Sequence, residues 1–251
     1  MPPLVLHTAI AKNVADSLRL GPLDEERGSL YMGATAPDIR VVTRWERART
    51  HFFDLNNFDE QDGVAAFFET HPSLSEVGSL AAPTRAFIAG YLTHLVMDER
   101  WISTVYRPYF GERSPLGGDL RANIMDRALQ FSMDCDRRGD TAFMAHVVDA
   151  VARCDLAFDI GFIDAESLRR WQEVVTDMMN RTPDWDRFRH GARRHLGYSE
   201  SDGEAFEEMV RSIPDLVDET LKYLTLQRVE DFLEDAERRS AAVVKEYLQC
   251  A

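Results

Sequence analysis

His94 and Asp98 stand four residues apart in the segment AFIAGYLTHLVMDERW, residues 86 to 101. In a helix that spacing puts both side chains on one face, about 5 to 6 Å apart at Cβ. The same face carries Phe87, Tyr91, Trp101 and Ile102, so it is the stripe expected to be buried. A carboxylate there is costly unless it is paired or ligates a cation. One reading is a satisfied polar node, in which His94 and Asp98 pair with each other or with an arginine from a neighbouring helix. Three further ionisable groups in apolar or turn settings open a second reading. His7 lies among Leu4, Leu6, Ile10 and Ala11, Asp38 follows Pro37 in a Gly/Ala-rich loop, and His51 precedes Phe52 and Phe53. Three imidazoles and two carboxylates form a mixed nitrogen and oxygen ligand set, suited to zinc, with iron or manganese as alternatives. Asp38 and Asp98 are also the candidate proton acceptors for hydrolytic chemistry.

Apolar residues recur at three- and four-residue spacing along nearly the whole chain, and alternating β-branched runs are missing. The expected fold is therefore all-α, one multi-helix domain over residues 1–251 with a metal site in the N-terminal half. The first helix is expected from Leu4 to Leu20, stopped by Gly21-Pro22, and a second from Asp24 to Met32, stopped by Gly33. Residues 40–59 read as irregular or partly helical. A helix over 60–70 follows, then a long one over 83–106 with Pro83 at its first position. The loop 108–118, with two prolines and three glycines, is the best candidate hinge. Further helices are expected at 119–137, 140–158, 164–180, 184–196 and 202–212, and a long helix or a pair over 215–248.

The 251 residues include 43 acidic and 29 basic ones, a net charge of −14 that repels phosphate backbones and anionic headgroups, so nucleic acid is not an expected partner. No apolar run is long enough for a membrane span, and a composition 45% hydrophobic and 10% aromatic is that of a packed globule. Cys135, Cys154 and Cys250 are too far apart for a metal knuckle or a redox pair. Together with a start that lacks a cationic, apolar leader, they suggest a cytoplasmic protein. GxSxG, P-loop and GxGxxG signatures are missing, which leaves serine hydrolases, P-loop NTPases and Rossmann dehydrogenases without support.

Four segments, LHTAIA with His7, GATAPDI with Asp38, THFFDL with His51 and AGYLTHLVMDERW with His94 and Asp98, occur over residues 1–101 in the order found in the bacterial zinc-dependent phospholipase C family, which the chain resembles. The resemblance implies that Asp38, His51, His94 and Asp98 hold one metal ion. It also implies that His7 and Asp98 can share a second, with Asp98 bridging. Family members that cleave phosphodiesters carry two more histidines and a glutamate soon after the helix corresponding to 83–106, and these hold another zinc. Here no histidine occurs between His94 and His146. Secreted relatives add their N-terminal amine as a ligand, a group this sequence is not expected to supply.

The expected activity is metal-dependent hydrolysis of a phosphoester, phospholipase C-like, on a small-molecule or lipid-like anionic substrate. Arg44, Arg47 and Arg49, just ahead of His51, are placed to draw such an anion toward the metal. The rivals are a helical binding or structural protein with a non-catalytic metal or polar core site, and a different metal-dependent reaction on the same scaffold. The remaining histidines carry less. His71 precedes Pro72 in a turn, His146 and Asp149 share a helix face expected at the surface, and His190 and His195 lie in the arginine-rich stretch RFRHGARRHLG, expected to be a solvated face.

Overall fold

Regular elements follow the apolar spacing closely, and in the computed structural model, which describes residues 3–189, 208 and 211–249, every one of them is helical. Helix α1 spans Leu4–Leu18 and ends on Arg19, which is left-handed at φ 49°. Gly21-Pro22 does not stop this helix. It opens α2 (Gly21–Glu25), because proline has no N–H to lose in a first turn and its fixed φ suits one. Helix α3 (Arg27–Thr35) likewise runs straight through Gly33, where a stop was expected. Gly33 serves packing: a Cβ there would overlap the carbonyl oxygen of Phe87 on the next long helix.

A 3-10 turn, Ala36–Ile39, follows, and the stretch 40–59 is partly helical as read, with two single-turn helices, α4 (Arg40–Thr43) and α5 (Ala48–His51). Helix α6 (Gly63–Thr70) begins where Asp62 accepts hydrogen bonds from the backbone N–H groups of Val64 and Ala65. Those donors would otherwise be orphaned. Asp62→Ala is expected to destabilise the protein by about 1 kcal/mol, read as a lower urea midpoint at unchanged m-value.

Helix α7 (Ala82–Trp101) is the central element, packed against α1, α3, α6 and the last long helix. Residues 86–98 are all buried, so in place of the one-sided apolar stripe expected there the helix is enclosed on every side over that stretch. Beyond Trp101 the backbone widens into a π-helix, Ile102–Phe110, in place of the expected α-helical end near Tyr106. The chain continues through α8 (Leu120–Arg138), α9 (Thr141–Ala152) and α10 (Ala165–Asn180) to α11 (Ile213–Leu224) and α12 (Leu226–Gln249). Helix α9 stops six residues short of the expected 158, and Thr225 at φ 71° makes the last stretch a pair. The helix expected at 184–196 is described only over 185–189, and that at 202–212 lies almost wholly outside the described residues. The buried apolar cluster runs from Leu4 to Tyr247 and draws on both sides of the 108–118 connection. No described helix is long and apolar enough to cross a membrane.

Candidate metal centre

Two glycines set the geometry of the site. Gly33 on α3 and Gly90 on α7 let the two helix backbones touch, since a Cβ on Gly90 would overlap the Leu30 carbonyl oxygen and come within 2.8 Å of the Ala34 amide nitrogen. The close crossing brings the Ala34 carbonyl, near the C-terminal end of α3, to 2.8 Å from His94 Nδ1. His94 therefore donates from Nδ1 and turns its Nε2 lone pair to the interior, the tautomer a metal ligand needs.

Around that Nε2 the other candidates converge. Asp98, one turn along α7, lies 3.7 Å from His94 Nε2 through Oδ2. Helix α1 delivers His7, whose Nε2 is 3.5 Å from Asp98 Oδ1 and whose ring stacks on that of His94 at 3.7 Å and 7°. His51, last residue of α5, sets Nε2 3.4 Å from Asp98 Oδ2 and 3.6 Å from Asp38 Oδ1. Its orientation depends on Phe52, which turns the chain left-handed at φ 53° and packs edge-on against Phe67. The potential ligand atoms of His7, His94 and Asp98 lie within 4.8 Å of one another, and so do those of Asp38, His51 and His94.

These groups are deeply buried: His7, His51, His94 and Asp98 are at most 3% exposed. Neither ring nitrogen of His7 has a hydrogen-bond partner, nor do Nε2 of His51 and His94 or Oδ1 of Asp98. The separations of 3.4 to 3.7 Å are too long and too many for ordinary hydrogen bonds, and buried polar atoms are rarely left unpaired. A buried cluster of inward-facing imidazole nitrogens and carboxylate oxygens is the donor set of a cation site. The five residues thus fit the transition-metal ion that the resemblance implies. Asp98 turns Oδ1 to His7 and Oδ2 to His51 and His94, so its two oxygens can serve two positions, whereas His94 has a single free nitrogen.

Burial lowers His94, but Asp98, Asp38 and the Ala34 carbonyl outweigh it and raise its pKa, so in the absence of a cation His94 is the imidazole that holds positive charge most readily. Burial, with the charge of His94, pushes the His7 pKa down to about 3, and burial likewise takes His51 down to about 4 against the pull of Asp38. Both are neutral, ligand-ready imidazoles near pH 7. Burial alone would raise Asp98, but His94, Arg47 and His51 together hold it well below the usual carboxylate range. Asp38 resists its own burial through His51 and His94 and stays ionised, at about 2.

All five sequence candidates meet here. Of the three arginines, Arg47 reaches the site, with Nη2 3.1 Å from Asp98 Oδ2. Arg44 is an exposed left-handed residue, and Arg49 stacks on Trp45. His71 lies against Phe162, its pKa lowered by burial, and His146 is exposed beside Tyr31. His190 and His195 lie outside the described residues. Sequence reasoning missed the supporting groups: the Ala34 carbonyl, Thr50 and Tyr91. The available signals were the small residues Gly33 and Gly90, and the placement of Thr50 beside His51 and of Tyr91 three residues before His94. Comparison with protein-family models, with curated proteins and with solved structures returns no match to the chain.

Proposed function

We propose that the protein is a metal-dependent hydrolase of phosphoesters, with His7, Asp38, His51, His94 and Asp98 holding zinc, or iron or manganese in its place. The observation that carries this reading is the convergence of three imidazoles and two carboxylates in two overlapping groups that share His94, with Nε2 of all three histidines and Oδ1 of Asp98 unpartnered. Bound there, a divalent ion supplies Lewis acidity, polarising a phosphoryl oxygen and acidifying nearby water. The chain's own residues supply the rest. Asp38 is the most exposed of the five, its side chain 19% accessible, so its carboxylate is placed to accept the proton of an attacking water. Arg47, paired with Asp98 and 13% accessible, brings a positive charge beside the cluster, which favours an incoming phosphoryl group despite the overall charge of −14.

The test is hydrolysis of p-nitrophenyl phosphate and bis(p-nitrophenyl) phosphate by protein loaded with zinc, iron or manganese. Turnover that a chelator abolishes and metal restores is expected. Arg47→Gln should raise KM about tenfold, the worth of one charge-assisted hydrogen bond. Fully loaded protein that turns over neither ester, nor a phospholipid, overturns the hydrolase.

Arg47 also favours a second reading, a structural polar node in which its guanidinium balances Asp98 without a cation. In that case chelation leaves Tm unchanged, and Arg47→Gln, which strands a buried carboxylate, costs about 3 to 5 kcal/mol.

A further inference from the structure

We infer that Thr50 and Tyr91 are positioning residues, which fix the tautomer and place of His51 so that its Nε2 lone pair faces the cluster. The inference rests on the metal reading for its consequence and on hydrogen-bond geometry for its content. Thr50 is fully buried, and its hydroxyl oxygen lies 2.9 Å from His51 Nδ1 and 3.4 Å from the Arg47 carbonyl oxygen. A hydroxyl has one proton to give. The Arg47 carbonyl already accepts from the backbone N–H groups of Thr50 and His51 at 3.0 Å each and takes the hydroxyl as a third, longer contact, which leaves Thr50 able to donate to it and to accept from an Nδ1–H of His51. Nε2 is then unprotonated, with Asp98 at 3.4 Å and Asp38 at 3.6 Å. What disfavours the opposite arrangement, in which the hydroxyl donates to Nδ1, is its Nε2–H, which would lie at distances too long for good hydrogen bonds to either carboxylate.

Tyr91 holds this unit in place. Helix α5 ends at His51, so the Thr50 carbonyl has no helical partner beyond it. The phenol of Tyr91 donates to that carbonyl at 2.6 Å from within the core. Tyr91, His94 and Asp98 recur at three- and four-residue steps on α7. One helix face thus carries two candidate ligands and the pin for a third, which lies on a separate segment. Outer hydrogen bonds of this kind orient metal-bound histidines and typically change affinity 10- to 100-fold.

The test compares wild type, Thr50→Val, Thr50→Ser and Tyr91→Phe for zinc affinity by chelator competition. It also records ¹⁵N imidazole shifts of His51 in metal-free protein, with thermal melts as a folding control. The expected result is a 10- to 100-fold weaker zinc affinity in Thr50→Val, affinity within about threefold of wild type in Thr50→Ser, and a several-fold loss in Tyr91→Phe. Metal-free wild type and Thr50→Ser should both show His51 protonated at Nδ1. An Nε2–H tautomer in wild type, or equal affinity of wild type and a folded Thr50→Val, overturns the inference, and so does a Thr50→Ser as weak as Thr50→Val. If Thr50→Val fails to fold, the serine variant and the wild-type tautomer decide. Wild type that binds no zinc, iron or manganese sinks the metal reading instead, and leaves the tautomer result standing on its own measurement.

Discussion

Gly90→Ala is expected to destabilise the protein by about 3 kcal/mol or more, the upper range for forced overpacking. The added methyl would meet the Leu30 carbonyl oxygen and the Ala34 amide nitrogen, both backbone atoms of α3 that no rotamer change can move away. The helices must separate, and the separation also pulls the Ala34 carbonyl from His94 Nδ1. Whatever variant folds should therefore bind metal more weakly than its stability loss alone explains. Gly78→Ala is the matched control: a Cβ there meets nothing within 4 Å, and its urea midpoint should stay within experimental error of wild type. Equal midpoints for the two variants would contradict the close α3–α7 contact.

Asp98→Asn is expected to lower metal affinity by at least about 100-fold, exceeding the usual effect of an outer-shell change. The carboxylate is the group shared among His7, His51 and His94, and the one negative charge at most 4% accessible in the cluster. Asparagine keeps its size but removes one oxygen ligand and the charge that balances the cation. It also removes the negative charge that Arg47 pairs with, so the metal-free protein should lose stability too. Loss of stability alone therefore does not separate the metal from the polar node. A variant binding zinc as tightly as wild type would remove Asp98 from the ligand set.

The helical class was legible because three- and four-residue apolar spacing reports directly on burial of helix faces. His94 and Asp98 were legible for a related reason: a four-residue step within an apolar helix fixes two side chains on one face without knowledge of the fold. His7, Asp38 and His51 became candidates through their settings and through a family resemblance, and tertiary packing then gathers them in two groups around His94, His7 with Asp98 and Asp38 with His51. Boundaries failed where a residue's local preference yielded to packing. Gly33 reads as a helix stop, yet its missing Cβ is used for contact with Phe87. Gly21-Pro22 reads as an end and serves as a beginning. The Ala34 carbonyl was invisible, since a backbone acceptor has no residue signature, and Thr50 and Tyr91 look like ordinary core residues until their partners 1 and 41 residues away are seen.

The most direct measurement is a calorimetric titration of chelator-stripped, full-length protein with zinc, iron and manganese, paired with thermal melts and repeated on His94→Ala. The cluster as described predicts tight binding of about one transition-metal ion per chain, with room for a weaker second. At a free ion concentration of about 100 times Kd, the stabilisation should be about 2.7 kcal/mol. His94→Ala should lose both the heat of binding and the rise in Tm. Wild-type protein that takes up none of the three ions, with melts unchanged by metal or chelator, would show that His7, Asp38, His51, His94 and Asp98 form a buried polar node and not a metal centre.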